Sequence, residues 1–361
     1  MDCFTENDWA ELRGKLQSVL DSEVICGREC GCQLAIWHKG ELKVDLCAGF
    51  TDASRKNAVA SDTLFPIYSS GKPLLAAAVL RAVERGLLRV DMPLCEVWQE
   101  FGNRGKEAVT VEHALSHRAG LNILPKTDSM AELADWELMC SRMAEMTPRS
   151  VPGGKCVYHP VTYAYLAGNP LVKIYGKPLR EIMLDEVLRP CGMEDEFFFG
   201  ISDRELERFA WIDESGLPES EIPSWHVQTM HDPVVQRGCV PSFNAVASAR
   251  ALAKFYAAAA GDLPGVKLLE KETLSMATEK EWRRSDDVLP DGAWYHFGLG
   301  FAVNSEFRIF GHGGAAGAEG FYDRKHKIAV AFVKNHLLME HPVHPVRDRI
   351  AEILDIPIRH W

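Results

Sequence analysis

The sequence predicts an α+β fold in which one antiparallel sheet is flanked by terminal helices and accompanied by an inserted all-helical domain. Strand-like runs cluster near the two ends of the chain, the middle is helical with Pro- and Gly-rich loops, and each end carries an amphipathic helix. A single antiparallel sheet that joins both ends is the simplest way to bury them. We expect a discontinuous sheet domain of residues 1–91 and 231–361, and a helical domain of residues 92–230.

The N-terminal part predicts a helix, a hairpin and a second helix. The runs CQLAIWHKG and ELKVDLCAGF have strand character, and the tight turn HKGEL joins them. A second helix is expected from about Gly71 to Gly86. The first helix has apolar residues at helical spacing, which are Trp9, Leu12, Leu16, Val19 and Leu20.

The middle and the C-terminal part follow the same logic. Helices are expected at TVEHALSH, MAELADWELMCSRMAEM and LREIMLDEVLRPCG, and a further helix from Asn244 to Gly261. Three strands are expected in HFGLGFAV, FRIFGHGG and KIAVAFVKN. A last helix over about Pro345 to Leu354 completes the pattern.

Composition and charge exclude several classes of protein. The 361 residues are 47% hydrophobic and 25% charged, as in ordinary globular proteins. A net charge of −11 and a pI near 5.7 argue against nucleic acid or an anionic membrane surface as a partner. The N-terminal segment has no basic stretch before an apolar one, and no apolar run reaches the roughly 18 residues of a membrane span. We therefore expect a cytoplasmic protein without membrane insertion.

The cysteine and histidine patterns predict no metal and no cofactor. Ten cysteines scattered along a long chain favour reduced thiols over disulfides. Cys26, Cys30 and Cys32 lack metal-pair spacing and favour small buried residues entering a strand. His113 and His117 are four residues apart on a predicted helix, but Ala114 stands where an H-E-x-x-H metal motif has its glutamate.

A polar cluster at the head of the second helix is the first candidate reaction centre. Residues three apart share a helix face, so the Ser69 hydroxyl and the Lys72 amine can meet, whereas Ser70 points away. Burial and the positive helix end can lower the pKa of a lysine until it serves as a base for serine. The same residues also fit an N-cap serine with a solvated lysine. Pro66 and Pro73 stand where a P-loop needs other residues.

Two later segments favour the catalytic interpretation. Tyr158 follows a Pro-Gly-Gly turn in VPGGKCVYHPVTYAYLAG, where a phenolate near an ammonium could share the base role. The run FGHGGAAGAEGFYD is dense in glycine between strand-like runs, where a free backbone N–H can stabilise an oxyanion.

These segments, in this order, resemble the serine β-lactamase and penicillin-binding-protein superfamily over nearly the whole chain, and most resemble its class C-like (family VIII) carboxylesterases. The first motif is Ser69-x-x-Lys72. Tyr158-His159-Pro160 stands for Y-x-N, and His312-Gly313-Gly314 stands for K-T-G. The resemblance implies a β-lactamase/transpeptidase-like fold with the active site between the sheet domain and the helical domain.

The resemblance also implies roles for single residues. Ser69 would be the acylated nucleophile, and Lys72 and Tyr158 would form the general-base network. The backbone N–H groups of Ser69 and Ala315 would form the oxyanion hole. The expected substrate contacts are His312, Gly313, Gly314 and His159.

Two departures from the family motifs bear on the substrate. Pro160 replaces an asparagine that contacts peptide-like substrates, and His312 replaces a fixed cation that holds a carboxylate. Both changes favour hydrolysis of small or medium esters. A β-lactamase or D-amino-acid peptidase that uses the same serine, lysine and tyrosine is the alternative, and a catalytically silent binding protein is a third. Trp225 or Trp294 is a candidate wall of the acyl pocket.

Overall fold

The computed structural model describes residues 4–285, 296–304, 308–337 and 345–356. The helices are α1 (Glu6–Ile25), α2 (Lys72–Glu84), α3 (Val111–Leu115), α4 (Trp136–Glu145), α5 (Tyr163–Tyr175), α6 (Leu179–Met183), α7 (Asp203–Leu206), α8 (Trp225–Met230), α9 (Pro233–Arg237), α10 (Ala249–Ala259), α11 (Lys271–Glu279) and α12 (Pro345–Leu354). The strands are β1 (Gly31–His38), β2 (Glu41–Gly49), β3 (Phe65–Pro66), β4 (Phe197–Phe199), β5 (Ala245–Ala247), β6 (Trp282–Arg283), β7 (His296–Phe297), β8 (Ala302–Asn304), β9 (Ile309–Gly313), β10 (Glu319–Asp323) and β11 (Ile328–Lys334).

One antiparallel sheet joins the two ends of the chain, in the order β2-β1-β11-β10-β9-β8-β7-β6. The N-terminal hairpin meets the C-terminal strands where β1 pairs with β11, for example Ala35 opposite Ala331. Every residue of β11 is buried, which suits a strand covered on both faces. The predicted α+β fold, with one antiparallel sheet that joins both ends of the chain, is confirmed.

Helices from both ends of the chain cover one face of this sheet. Thr5 begins α1 with a capping box to Asp8, and the buried side of α1 includes Trp9 and Leu16. α1 packs beside α12 over the apolar side chains of β1 and β11. α10 covers the opposite face and begins at the Ser248 cap. None of the helices in the described ranges is long and apolar enough to cross a membrane.

The second helix grows out of a short turn. Tyr68–Gly71 form a 3₁₀ turn that continues into α2, whose side chains from Lys72 through Leu80 are all buried. Pro73 is tolerated because it lies in the first turn, where its missing N–H has no intrahelical partner. Gly86 follows the helix with a φ of +70°, which is the left-handed conformation expected after a helix C-terminus.

A second, small sheet complicates the predicted division into domains. Its order is β3-β5-β4. β4 lies inside the range 92–230 and pairs with β5, which lies outside it. The boundaries at residues 91 and 230 therefore stay predictions. The pairing of β4 with β5 crosses the boundary at residue 230.

Several predicted elements differ in detail. The helix expected from Asn244 begins only at Ala249, and Ala245–Ala247 before it form β5. The side chain of Asn244 ends the preceding loop: its Oδ1 accepts from the Val240 N–H, and its Nδ2 donates to the carbonyls of Val235 and Gly238. HFGLGFAV forms two short strands, β7 and β8, around a turn at Gly300 (φ +84°). The helix predicted over residues 130–146 is a 3₁₀ turn and α4, separated at the N-cap Asp135.

Two more corrections concern LREIMLDEVLRPCG and the C-terminal strands. The segment LREIMLDEVLRPCG forms α6 followed by a π-helical and a 3₁₀ turn rather than one regular helix. Among the C-terminal strands, β10 is an additional strand between two that were predicted. Its residues Glu319–Asp323 follow the glycine-rich run directly. All five are buried, so the segment lacks the alternation of polar and apolar residues that predicts a half-buried strand.

Candidate active site

Ser69 lies in the 3₁₀ turn that begins α2, next to a residue in an unusual conformation. The preceding residue, Tyr68, has a φ of +47°, in the left-handed region that side chains other than glycine rarely adopt. Such strain is kept only where the surrounding structure enforces it, and it concentrates at functional sites. Ser69 is half-buried, whereas Ser70 is fully buried. The turn therefore presents one serine to solvent and turns the other inward.

Lys72 lies directly beneath the Ser69 hydroxyl. Its Nζ is 2.8 Å from Ser69 Oγ and 2.6 Å from the carbonyl oxygen of Ser242. The side chain is completely buried, and burial lowers the pKa of Lys72 well below its usual value. A neutral amine keeps a lone pair, so Lys72 can accept a proton from Ser69.

Tyr158 approaches Ser69 from another side. Its hydroxyl is 2.8 Å from Ser69 Oγ, and Lys72 Nζ lies 5.0 Å from the centre of the Tyr158 ring. The ring of Phe297 stacks on the ring of Tyr158 with an angle of 4° between the planes. The serine oxygen is thus hydrogen-bonded to an amine that can take its proton and to a phenol that can pass a proton on by giving up its own.

The end of β9 forms a further side of the site, where the ring of His312 lies 6.0 Å from the ring of Tyr158, centre to centre. His312 Nδ1 is 2.6 Å from the Gly313 carbonyl, which can only accept, so the proton is on Nδ1. Burial and the neighbouring Lys72 lower the pKa of His312 to about 3. His312 is therefore neutral near pH 7 and supplies no fixed positive charge. A Cβ on Gly314 would lie 2.2 Å from the Ile67 carbonyl oxygen, so only glycine fits there.

These groups open into a cavity of about 320 Å³. Its walls are mostly aromatic or apolar, with the Arg284 guanidinium 5.3 Å from the centre of the Tyr158 ring. The lining also includes Tyr68, Pro160, Val161, Trp225, His226, Phe243, Arg284, Phe297 and Ala302. Such a cavity suits a small, largely apolar substrate group next to the Ser69 hydroxyl.

The structure brings most of the predicted site residues together. Ser69, Tyr158 and the run from His312 to Ala315 line the cavity, and Lys72 lies below it. Of the two tryptophans considered for the acyl pocket, Trp225 lines the cavity and Trp294 lies outside the described residues.

The expected substrate contact by His159 is not supported. His159 is buried, and its Nε2 accepts a hydrogen bond from the Leu121 N–H at 3.0 Å. Its Nδ1 is 2.6 Å from the Val157 carbonyl, so both ring nitrogens are bonded to backbone. The neighbouring Pro160 lines the cavity instead. These two contacts with backbone groups hold the His159 ring inward, which the spacing of a three-residue motif does not reveal.

Several residues of the site were missed by sequence reasoning. The Ser242 carbonyl holds Lys72 Nζ, and Ser242 Oγ donates to the Val161 carbonyl at 2.7 Å. Both Ser242 and Phe243 lie in GCVPSFN, a segment with family resemblance but no motif of its own. A backbone carbonyl carries no residue-type signal, so only the tertiary structure reveals its role.

Metal-ligating side chains do not cluster in the described part of the chain, where no group of three His, Cys, Asp or Glu could hold an ion. Cys30 and Cys32 are buried at the start of β1, and burial raises the pKa of the Cys30 thiol to about 11. Cys26 is exposed. His113 Nδ1 accepts from the Thr110 N–H at 3.3 Å, within the cap of α3.

Comparisons with known proteins agree with this geometry. The family model described as Beta-lactamase matches residues 20–355. The esterase/beta-lactamase LipL of Mycobacterium tuberculosis is 27% identical in an alignment of 338 positions that covers 85% of this chain and 77% of LipL. A crystal structure of a family VIII carboxylesterase superposes with a TM-score of 0.85 at 28% identity and covers 95% of this chain and 96% of its own. A penicillin-binding-protein homolog from Caulobacter crescentus has a TM-score of 0.82 at 31% identity, with 96% and 97% of the chains covered.

Sheet topology, the environment of Ser69 and these matches agree on the class of protein, which is a serine hydrolase. More specifically, the chain belongs to the β-lactamase family.

Proposed function

We propose that the protein hydrolyses small or medium carboxylic esters through an acyl-enzyme on Ser69. One observation carries the proposal: Ser69 Oγ lies 2.8 Å from both Lys72 Nζ and the Tyr158 hydroxyl, at the base of a mostly apolar cavity. A serine that touches a neutral amine able to take its proton is an activated nucleophile.

The proposed reaction has two halves. Ser69 Oγ attacks the ester carbonyl carbon while its proton passes to the neutral Lys72 amine, with Tyr158 sharing the proton. The backbone N–H groups of Ser69 and Ala315 stabilise the negative oxygen of the tetrahedral intermediate. The C–O bond to the alcohol then breaks, and the alcohol leaves with the stored proton. Water repeats the attack on the acyl group, which releases the carboxylic acid and restores Ser69.

The substrate class follows from the charge of the site. A neutral His312 does not hold a carboxylate as a fixed cation does, which disfavours β-lactams and peptide termini. The aromatic walls at Trp225 and Phe243 favour an apolar acyl or alcohol group. The names of similar proteins, an esterase/beta-lactamase and a family VIII carboxylesterase, support ester hydrolysis as well.

The alternative is a β-lactamase or D-amino-acid peptidase with the same three residues. The 31% identical penicillin-binding-protein homolog is the observation in its favour. Arg284 in the cavity lining supplies positive charge that could interact with an anionic substrate.

The test compares p-nitrophenyl esters of short and medium acids with nitrocefin, for the wild type and Ser69→Ala. Ester turnover in the wild type, its loss in Ser69→Ala and a lower kcat/KM for nitrocefin are expected. Equal ester rates in the two proteins would refute the proposal, and a higher kcat/KM for nitrocefin would favour the alternative. A well-folded protein whose Ser69 reacts with neither a fluorophosphonate nor a penicillin would be a silent binding protein.

We further propose a cytoplasmic location, and a small-molecule substrate rather than nucleic acid as the ligand. The nine cysteines within the described residues are all free thiols, which suits a reducing compartment. Cell fractionation with an antibody against the native protein tests the location, and recovery in a membrane or secreted fraction would contradict it.

A further inference from the structure

His117 lies behind Tyr158, in the turn that follows α3. Its side chain is 1% exposed, and its backbone has a φ of +58°. The Nδ1 atom of His117 accepts a hydrogen bond from the His159 N–H at 3.2 Å. Its carbonyl oxygen accepts one from the Val157 N–H at 3.0 Å. A single residue therefore holds the backbone on both sides of Tyr158.

The imidazole ring of His117 also packs against the phenol. Its centre is 4.9 Å from that of Tyr158 and 4.4 Å from that of Phe297, in edge-to-face contacts. Phe297 in turn stacks on Tyr158. Edge-to-face and stacked contacts have preferred orientations, so the three rings restrict the rotation of the phenol.

The hydrogen bonds of His117 require one protonation state. A backbone N–H can only donate, so Nδ1 must keep its lone pair and the proton of the neutral ring lies on Nε2. Burial, together with the nearby His159 and Lys72, lowers the pKa of His117 well below its usual value. The ring is therefore neutral, as the hydrogen bond to His159 N–H demands.

We propose that His117 is a positioning residue for Tyr158, which holds the phenol oxygen at hydrogen-bonding distance from Ser69 and so sets the rate of acylation. The proposal rests on the acyl-enzyme mechanism proposed above. The Tyr158 hydroxyl is at the far end of a long side chain, so a small tilt of the backbone moves it appreciably. A misplacement of about 1 Å can reduce a catalytic rate by about 100-fold.

Two substitutions separate the acceptor from the rest of the side chain. In His117→Leu the acceptor is lost, and we expect kcat to fall by about 10- to 100-fold with a much smaller change in KM. In His117→Asn the amide oxygen takes the approximate place of Nδ1, and asparagine tolerates the left-handed backbone. We expect His117→Asn to recover most of the rate that His117→Leu loses.

A double substitution tests whether His117 acts through Tyr158. Tyr158→Phe removes the hydroxyl that His117 is proposed to position, so His117→Leu should lower kcat little further in that background. His113→Leu is the matched control, because His113 also accepts a backbone N–H through Nδ1, from Thr110 in the cap of α3. It should lower the melting temperature without the loss of kcat.

Three results would overturn the proposal: a folded His117→Leu with wild-type kcat, an undiminished effect of that change in the Tyr158→Phe background, or no recovery in His117→Asn. If His117→Leu does not fold, His117→Gln replaces it, because its amide oxygen reaches the position of Nε2 rather than Nδ1. Equal rates in His117→Gln and His117→Asn would then overturn it.

A different result, equal ester rates in the wild type and Ser69→Ala, would refute the proposed ester hydrolysis without refuting the role of His117. In that case the rate at which a fluorophosphonate labels Ser69 replaces kcat in every comparison above. The same order of variants is expected from that rate, because labelling also requires an activated Ser69.

Discussion

The Ser70 hydroxyl donates to the carbonyl oxygen of His312 at 3.2 Å, which joins the turn that carries Ser69 to the end of β9. The same hydroxyl lies 3.3 Å from the carbonyl oxygen of Ala318, just beyond the turn that follows β9. Two neighbouring serines thus have different tasks. Ser69 faces the cavity, and Ser70 holds together the two segments whose backbone N–H groups are the proposed oxyanion hole.

The two serines should therefore respond differently to alanine. We expect Ser70→Ala to lower the free energy of unfolding by about 1–3 kcal/mol, because the carbonyl oxygen of His312 loses the hydrogen bond from the buried Ser70 hydroxyl. Ser69→Ala should abolish ester turnover and change stability less, because Ser69 is half-buried. Urea denaturation and p-nitrophenyl ester assays on both variants make the comparison. A Ser70→Ala protein as stable as the wild type would show that this link between the segments is unimportant.

Trp225 should contribute to the preference for the acyl or alcohol group. Its ring lines the cavity and packs 5.6 Å from the ring of Phe243, centre to centre. In Trp225→Ala we expect kcat/KM for a p-nitrophenyl hexanoate to fall about tenfold more than kcat/KM for the acetate, because only the longer chain loses apolar contact.

Val234→Ala provides the control for Trp225→Ala. Val234 is an exposed apolar residue on the neighbouring α9, so its loss removes a similar kind of surface outside the cavity lining. The ratio of kcat/KM values for hexanoate and acetate should stay at the wild-type level. An equal fall for both esters in Trp225→Ala would mean that Trp225 supports the fold rather than selecting the substrate.

The part of the site that is local in sequence was predicted in part from spacing. Ser69 and Lys72 are one turn apart, so their side chains can meet, but the same spacing also fits an N-cap serine with a solvated lysine, and the burial of Lys72 decides between the two. Tyr158 and His312 lie far away along the chain, and resemblance to a family was needed to connect them with Ser69. His159 shows the limit of such a transfer, because the loop around Tyr158 turns its neighbour toward Leu121.

The helices and strands also differ in whether local sequence or distant pairing determines them. Long amphipathic patterns such as α1 were predicted well, since each carries its own periodic signal. β5 was missed because Ala245–Ala247 continues the apolar pattern of α10, and its strand conformation depends on pairing with the distant β3 and β4. Short strands of this kind are defined by their partners, so tertiary pairing outweighs local propensity.

Glu319 should make the stability of the protein depend on pH. Its carboxyl group is buried on β10, and its Oε1 has no hydrogen-bond partner among the described residues. Burial raises the pKa of Glu319 from the usual 4.5 to about 7, although the nearby Arg347 opposes the shift. The folded state therefore binds a proton that the unfolded state has lost between pH 4.5 and 7. The contribution to the free energy of unfolding is present below pH 4.5 and declines as the pH rises through this window.

The isosteric Glu319→Gln variant removes this ionisation. Its melting temperature should exceed that of the wild type by roughly 2 °C or more at pH 8, and the difference should shrink toward pH 5. Glu352→Gln, on an exposed part of α12, is the control and should match the wild type at both pH values. A constant difference between Glu319→Gln and the wild type from pH 5 to 8 would contradict a raised pKa.

Lys72 should be the clearest case in which a catalytic group lowers stability. Burial lowers its pKa well below the usual 10.5, so folding near pH 7 releases a proton that the unfolded chain holds. The free energy of unfolding should therefore rise with pH from the lowered pKa up to 10.5. Lys72→Met keeps a chain of similar length without an ionisable group. We expect it to lack ester turnover yet to melt at a higher temperature than the wild type at pH 7, with a smaller advantage at pH 9.5.

Lys106 offers a matched control, because it is also a completely buried lysine whose pKa is lowered by burial. Its Nζ is bonded to three oxygens, two of Asn103 and the Met146 carbonyl, whereas Lys72 Nζ has the Ser69 hydroxyl and the Ser242 carbonyl. Lys106→Met leaves more acceptors unpaired and should lower the melting temperature at pH 7. Differential scanning calorimetry of both variants between pH 6 and 9.5 measures the contrast. A Lys72→Met protein that melts below the wild type at pH 7 would mean that the two hydrogen bonds of Lys72 outweigh the unfavourable burial of its charge.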